Sequence, residues 1–292
     1  MENLSHIEVS EICNQLGKSS PKNIRQVLGG DIHESWQIEF ENKKFFLKRN
    51  KRKKDFLKFE EYCLRNLQEN ITEEVLIVPK VISYLKVKNV ELLLMDWIDM
   101  QNGDQKKLGE GLGKMHLKSA ESNPKKFGYP VTGYIGITDQ NKGWEKNWID
   151  CFINLRIKPQ LSILKDPSLD IKTKDKIHEK IKLELTKHKP INTLIHGDLW
   201  YGNVGIDKEG KGVIFDPACW WADSEVDIAM TRLFGGFKKE FYEEYHKIIP
   251  IKKGLEKRII IYNFYHILNH ANMFGGSYSH QVQDYVKKII TM

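Results

Sequence analysis

Cysteine and long apolar runs are scarce in this 292-residue chain, and each scarcity removes a class of protein. The four cysteines, Cys13, Cys63, Cys151 and Cys219, stand 50, 88 and 68 residues apart. That spacing suits neither a CxxC metal or redox motif nor a small disulfide scaffold, so unpaired thiols in a reducing cytoplasm are expected. No apolar run approaches the ~18 residues of a membrane span; the greasiest, Leu92 to Met95, is closed at once by Asp96. Met1, Glu2 and Asn3 carry no basic n-region and no apolar stretch follows, so no secretory signal is expected. Disorder is unlike this composition, which is 40% hydrophobic with 7 Trp, 11 Tyr and 13 Phe.

The charge balance is 46 Lys plus Arg against 39 Asp plus Glu, or +7. The basic run Lys48, Arg49, Lys51, Arg52, Lys53, Lys54 reads first as a solvated turn after a strand. No interleaved aromatics or nucleic-acid reader module accompany it, so nucleic acid is not an expected partner. An attraction to anionic ligands is what remains.

Hydrophobic periodicity divides the chain. Trp36, Ile38 and Phe40 alternate with polar residues, as do Phe45 and Leu47, predicting two strands about a turn at 41–43. Phe56, Phe59, Cys63, Leu64 and Leu67 mark one helical face. Apolar runs at 78–85, opened by Pro79, and at 90–95 predict two more strands. Beyond a polar turn at 99–103 the pattern becomes helical: Leu108, Leu112, Met115 and His116; then Trp144, Trp148, Phe152, Leu155 and Ile163; then Ile177, Ile181 and Leu185; and again through the C-terminal quarter. An α+β protein of two lobes follows, residues 1–97 mostly β and 98–292 mostly α, with a small-molecule site expected in a cleft between them.

The strongest chemical signal is Leu194-Ile195-His196-Gly197-Asp198-Leu199-Trp200-Tyr201-Gly202-Asn203, followed by Val213-Ile214-Phe215-Asp216. Phosphoryl transfer calls for this set: a carboxylate to take a hydroxyl proton, and an amide with a second carboxylate to hold Mg²⁺ against phosphates. Gly202, Gly205 and Gly210 allow a hairpin that folds Asn203 back beside Asp216. In the first lobe Lys48 ends a strand, as does the kinase lysine on the α- and β-phosphates, and Glu60 lies on or beside the apolar stripe of the next helix, where an acid needs a partner. Gly29 and Gly30, just before the first predicted strand, would let backbone N–H groups approach phosphates. Gly197 stands where protein kinases have arginine, and Asp216-Pro217-Ala218 replaces Asp-Phe-Gly, so a small-molecule acceptor is favoured over a phosphorylation-regulated loop. Trp200 is a candidate wall for the acceptor, with core packing as the competing reading, and Asp227 is expected to brace the catalytic loop through its backbone N–H groups. His196 reads as a scaffold histidine, and no histidine shows metal-ligand spacing.

The stretches from His196 to Asn203, from Ile214 to Ala218 and from Glu225 to Phe237, together with Gly29-Gly30-Asp31-Ile32, Phe46-Leu47-Lys48, Glu60 and Leu94-Met95-Asp96, closely resemble the fructosamine kinase (ketosamine-3-kinase) family. The Trp144/Trp148/Arg156/Gln160 spacing and the 262–276 tail extend the likeness over nearly the whole chain. The resemblance implies a protein-kinase-like two-lobe fold and ATP-dependent phosphorylation of the C3 hydroxyl of ketosamines, which releases the glycated amine. It implies Asp198 as base, Asn203 and Asp216 as Mg²⁺ ligands, Lys48 oriented by Glu60 on the ATP phosphates, and backbone groups of Met95, Asp96 and Trp97 on the adenine edge. Small ketosamines or glycated proteins are the implied acceptors, ribulosamine or erythrulosamine ahead of fructosamine, for a cytoplasmic monomer or weak dimer. Some relatives carry Cys in the glycine-rich loop; here Asp31 stands in that stretch, so redox control there is not expected. Kinases of aminoglycosides or choline, and a catalytically silent nucleotide-binding protein, are the competing functions.

Overall fold

The computed structural model describes residues 3–27, 32–41, 43–52 and 54–292, which fall into two compact units. The first comprises 1–69 and 78–100; the second comprises 70–77 and 101–292. The excursion at 70–77 contains the strand Leu76–Ile77, which pairs parallel with Gly212–Ile214 in the second unit.

A five-stranded antiparallel sheet forms the first unit, in the spatial order Asn23–Val27, Glu34–Phe40, Lys43–Asn50, Val90–Asp96, Val81–Val87. The predicted strand at 78–85 begins only at Val81, because Pro79 cannot donate to a ladder. Helix α1 (His6–Leu16) was not signalled by apolar periodicity. Its start is nonetheless written in the sequence as a capping box: Ser5 N–H donates to Glu8 Oε2 at 2.6 Å while Ser5 Oγ accepts from Glu8 N–H at 3.3 Å. Ile12 and Cys13 of α1 join Trp36, Ile38, Phe40, Phe45, Leu47, Leu92 and Leu94 in a core on one face of the sheet. Strand alternation turns Lys48 to the opposite face, where α2 (Phe56–Gln68) packs.

In the second unit the long helix α9, residues Leu255–Phe274, is buried on nearly every side. Before it in chain order come α3 (Lys106–Glu121), α4 (Trp148–Phe152), α5 (Lys158–Ile163), α6 (Ile171–Leu185), α7 (Glu225–Leu233) and α8 (Lys239–Ile248), and after it α10 (Ser277–Ile290); α5, α6, α7 and α10 pack on α9, and α3 packs on α8. A π-helical turn, Ile153–Ile157, links α4 to α5. Trp144, placed by its periodicity on a helix, lies instead in a short strand, Gly143–Glu145; a helical spacing shared by a few aromatics did not distinguish it from a strand ahead of a helix that starts four residues later. The four cysteines are buried and, among the described residues, no disulfide joins them. No helix among the described residues is long and apolar enough to cross a membrane.

Candidate active site

The strand Asn192–Ile195 runs antiparallel to Trp220–Asp223 and delivers His196-Gly197-Asp198 at its end. Gly197 takes φ +83°, and a Cβ there would lie 2.1 Å from the Ala218 carbonyl oxygen. Only glycine fits the position, which accounts physically for the absence of the arginine found in protein kinases. The carboxylate of Asp227, fully buried on α7, accepts from His196 N–H at 2.8 Å and from Gly197 N–H at 2.9 Å. Behind it, His116 Nε2 lies 3.1 Å from Asp227 Oδ2 while His116 Nδ1 lies 2.9 Å from the Tyr245 hydroxyl. Burial works against the Asp227 charge, but its bond to His116 and the loop N–H groups outweigh it and hold the carboxyl below its ordinary value. The bracing role expected of Asp227 is thus visible as geometry, whereas the His116–Tyr245 extension was not legible from sequence.

His196 is likewise buried and fixes the loop from the other side. Its Nε2 donates to the Phe215 carbonyl at 2.8 Å and its Nδ1 accepts from Asp198 N–H at 3.3 Å, a pair of bonds that selects the Nε2–H tautomer. Burial depresses its pKa, keeping it neutral. The Ala218 N–H closes the loop onto the His196 carbonyl at 2.8 Å.

The hairpin predicted between Asn203 and Asp216 is formed. Val204–Asp207 pairs with Gly212–Ile214, Gly210 supplies the positive φ of its turn, and Phe215 N–H bonds the Asn203 carbonyl at 3.1 Å. Asn203 Nδ2 donates to the Asp198 carbonyl at 2.9 Å and to Asp198 Oδ2 at 3.2 Å. Those bonds orient the amide so that its donor side faces Asp198. Asp216 itself adopts φ +57°, a strained conformation for a residue with a Cβ. Its neighbour Phe215 is held through both N–H and carbonyl.

Asp198 is half-buried, and its pKa is pushed up to about 7. Burial is the main cause; the charges of Asp216 and Asp227 add to it, and the Asn203 amide opposes them. A carboxyl so poised suits proton transfer near neutral pH. The same acidic surroundings suit a hard divalent cation, because Asn203 and Asp216 offer oxygen donors and a cation there would relieve the mutual repulsion of Asp198 and Asp216. Trp200 is 37% exposed, so core packing does not account for it. Its ring covers Gly202, where a Cβ would come within 2.2 Å, and stands edge-on to Phe234 at 6.3 Å. Trp220, by contrast, is fully buried between Trp148 and the Arg156 guanidinium.

In the first unit Lys48 Nζ lies 2.8 Å from Glu60 Oε1, with both side chains buried. The reading of residues 48–54 as one solvated basic turn is therefore corrected: Lys48 and Arg49 are inside. Arg49 bonds Glu8 at 3.2 Å and Glu34 at 2.8 Å and lies over the Trp36 ring. Strand pairing continues through Asn50, so the chain leaves the sheet two residues later than the basic run begins. Lys51, Arg52 and Lys54 are exposed. Met95, Asp96 and Trp97 end the strand Val90–Asp96 and the segment after it. Asp96 N–H already donates to the Lys80 carbonyl at 3.0 Å, so that residue has only its carbonyl to offer an adenine edge. Trp97 Nε1 donates to Asp99 at 2.7 Å, and its ring lies 6.1 Å from Phe46. Gly29 and Gly30, and Asp31 beside them, lie outside the described residues.

The family model for fructosamine kinase matches residues 5–292. A probable ketoamine kinase of Vibrio parahaemolyticus is 40% identical over 270 residues, covering 90% of this chain and 91% of its own. A crystal structure of a protein assigned as a fructosamine-3-kinase from Haemophilus somnus superposes with a TM-score of 0.85 at 27% identity, over 96% of each chain. An aminoglycoside phosphotransferase shares the fold alone, with a TM-score of 0.66 at 13% identity over 97% of each chain. The chain belongs to the fructosamine kinase family and is a phosphotransferase of protein-kinase-like fold.

Proposed function

We propose that this protein transfers the γ-phosphoryl group of ATP to the C3 hydroxyl of ketosamines, destabilising the sugar–amine adduct so that the amine is released. The observation that carries the reading is Asp198, a carboxyl poised near neutrality, hydrogen-bonded to Asn203 and electrostatically coupled to Asp216, in a chain matched to the family from residue 5 to 292. Asp198 takes the proton of the acceptor hydroxyl as its oxygen bonds to the γ-phosphorus; the bond from that phosphorus to the β–γ bridging oxygen breaks, and ADP leaves. Asn203 and Asp216 are the residues that would hold Mg²⁺, which when bound neutralises charge on the phosphates. Holding a cation there, Asn203 and Asp216 would offset the part of the upward pressure on the Asp198 pKa that comes from the Asp216 charge.

Lys48, held in orientation by Glu60, binds the α- and β-phosphates. The adenine edge is assigned to backbone groups of Met95, Asp96 and Trp97, with the Asp96 contribution confined to its carbonyl, and the phosphate-facing loop to Gly29 and Gly30. Trp200 supplies an exposed ring on which the C–H face of the sugar stacks. Acceptors are small ketosamines or glycated protein lysines, and the protein works in the cytoplasm as a monomer or weak dimer.

The test is a panel of ribulosamine, erythrulosamine, fructosamine and psicosamine with Mg-ATP, alongside an aminoglycoside and choline, with ADP release measured and phosphate position read by NMR. Phosphate on C3 of a ketosamine is expected. Turnover confined to the aminoglycoside or choline would replace the substrate assignment, and no ATP consumption with any acceptor would remove the catalytic one.

A further inference from the structure

Glu91 precedes the apolar run Leu92 to Met95 in the strand Val90–Asp96 and is 1% exposed. A carboxylate buried so deeply needs several donors. Asn50 Nδ2 at 2.6 Å and Leu57 N–H at 3.3 Å donate to Oε2. Lys58 N–H at 3.1 Å and the Tyr84 hydroxyl at 2.7 Å donate to Oε1. Leu57 and Lys58 are the second and third residues of α2, whose own N-cap, Asp55, makes no side-chain cap bond. The helix is therefore capped from the neighbouring sheet, by a negative charge placed where the helix dipole favours one.

This cap lies next to the Lys48–Glu60 pair. Asn50 stands opposite Glu91 and Lys48 opposite Leu93 in the same strand register, while Glu60 is two residues beyond Lys58, just past the capped first turn of α2. We propose that Glu91 is a positioning residue for nucleotide binding: it clamps α2 to the sheet and so keeps Glu60 on Lys48. The proposal rests on the assignment of Lys48 to the ATP phosphates. It also makes α2 a fixed element, since sliding or swinging it away from the sheet would strip two N–H donors from a buried carboxylate.

The test is ADP affinity, measured by calorimetry on the full chain carrying Glu91→Gln, Tyr84→Phe, Lys48→Met, or Glu91→Gln with Lys48→Met. Lys48→Met should weaken ADP at least tenfold. Glu91→Gln should weaken it three- to tenfold while the ketosamine KM stays unchanged, and should add less than twofold in the Lys48→Met background. Tyr84→Phe keeps the carboxylate but removes one donor; a smaller loss of the same kind is expected, and it reads the clamp even where Glu91→Gln fails to fold. Wild-type ADP affinity in Tyr84→Phe together with wild-type affinity or no folding in Glu91→Gln overturns the proposal. So does an effect of Glu91→Gln that persists in full without Lys48, because the cap then acts on stability alone. Unchanged ADP affinity in Lys48→Met would instead sink the assignment on which the clamp depends.

Discussion

Replacing Asp198 with asparagine should make the protein harder to unfold while it removes turnover. The carboxyl titrates at 3.8 in its reference state and at about 7 when folded. Below about pH 4 both states hold the proton and the charge costs nothing. Between pH 4 and 7 the unfolded chain has released its proton and the folded chain still binds it, so stability falls as pH rises; above pH 7 the difference is constant. At about 1.4 kcal/mol for each pH unit the ceiling is about 4 kcal/mol. Asp198 is only half-buried, and water reaching it reduces the figure to about 2 kcal/mol. For a folding unit of this size that is a melting-temperature gain of roughly 4–8 °C.

The assay is thermal unfolding of wild type and Asp198→Asn from pH 4 to 9, without nucleotide and with EDTA. The variant's advantage should be near zero at pH 4, widen through pH 6 and level off above pH 7. Phosphoryl transfer should fall by about 10²–10⁴-fold, the usual contribution of a positioned base. A stability gap independent of pH, or a variant less stable than wild type at pH 8, would refute the account of Asp198 as a carboxylate strained by burial and by Asp216.

Asp216→Asn removes the second cause of that strain, so the Asp198 midpoint, followed by the ¹³C shift of its carboxyl, should move below 7; an unmoved midpoint would uncouple the two acids. In wild type, saturating Mg²⁺ should move the same midpoint down, and kcat/KM should rise with pH through it. Trp200→Leu should raise the ketosamine KM several-fold with the ATP KM unchanged, whereas equal rises in both would take the ring out of the acceptor site. Gly197→Ala forces a Cβ against the Ala218 carbonyl at a positive φ, so a loss of at least about 3 kcal/mol in denaturant unfolding is expected.

Local pattern and tertiary structure contributed different parts of this protein. The alternation at 36–47 placed two strands, the 3.6-residue period at 56–67 placed α2, and the spacing from Asp198 through Asn203 to Asp216 placed a hairpin, because each depends on neighbours within about 20 positions. Lys48 and Glu60 were legible for the same reason: they are twelve residues apart on adjacent elements. The helix α1 had its signal in the Ser5–Glu8 capping box, although its apolar pattern was too weak to show it. What only the tertiary structure decided are the partners of buried polar groups. Glu91 meets Leu57 and Lys58 across 34 and 33 positions, His116 meets Tyr245 across 129, and Asp227 meets the His196 backbone across 31. No periodicity encodes such pairs; they are chosen when a polar group leaves water and must find its hydrogen bonds among whatever the packed elements bring beside it.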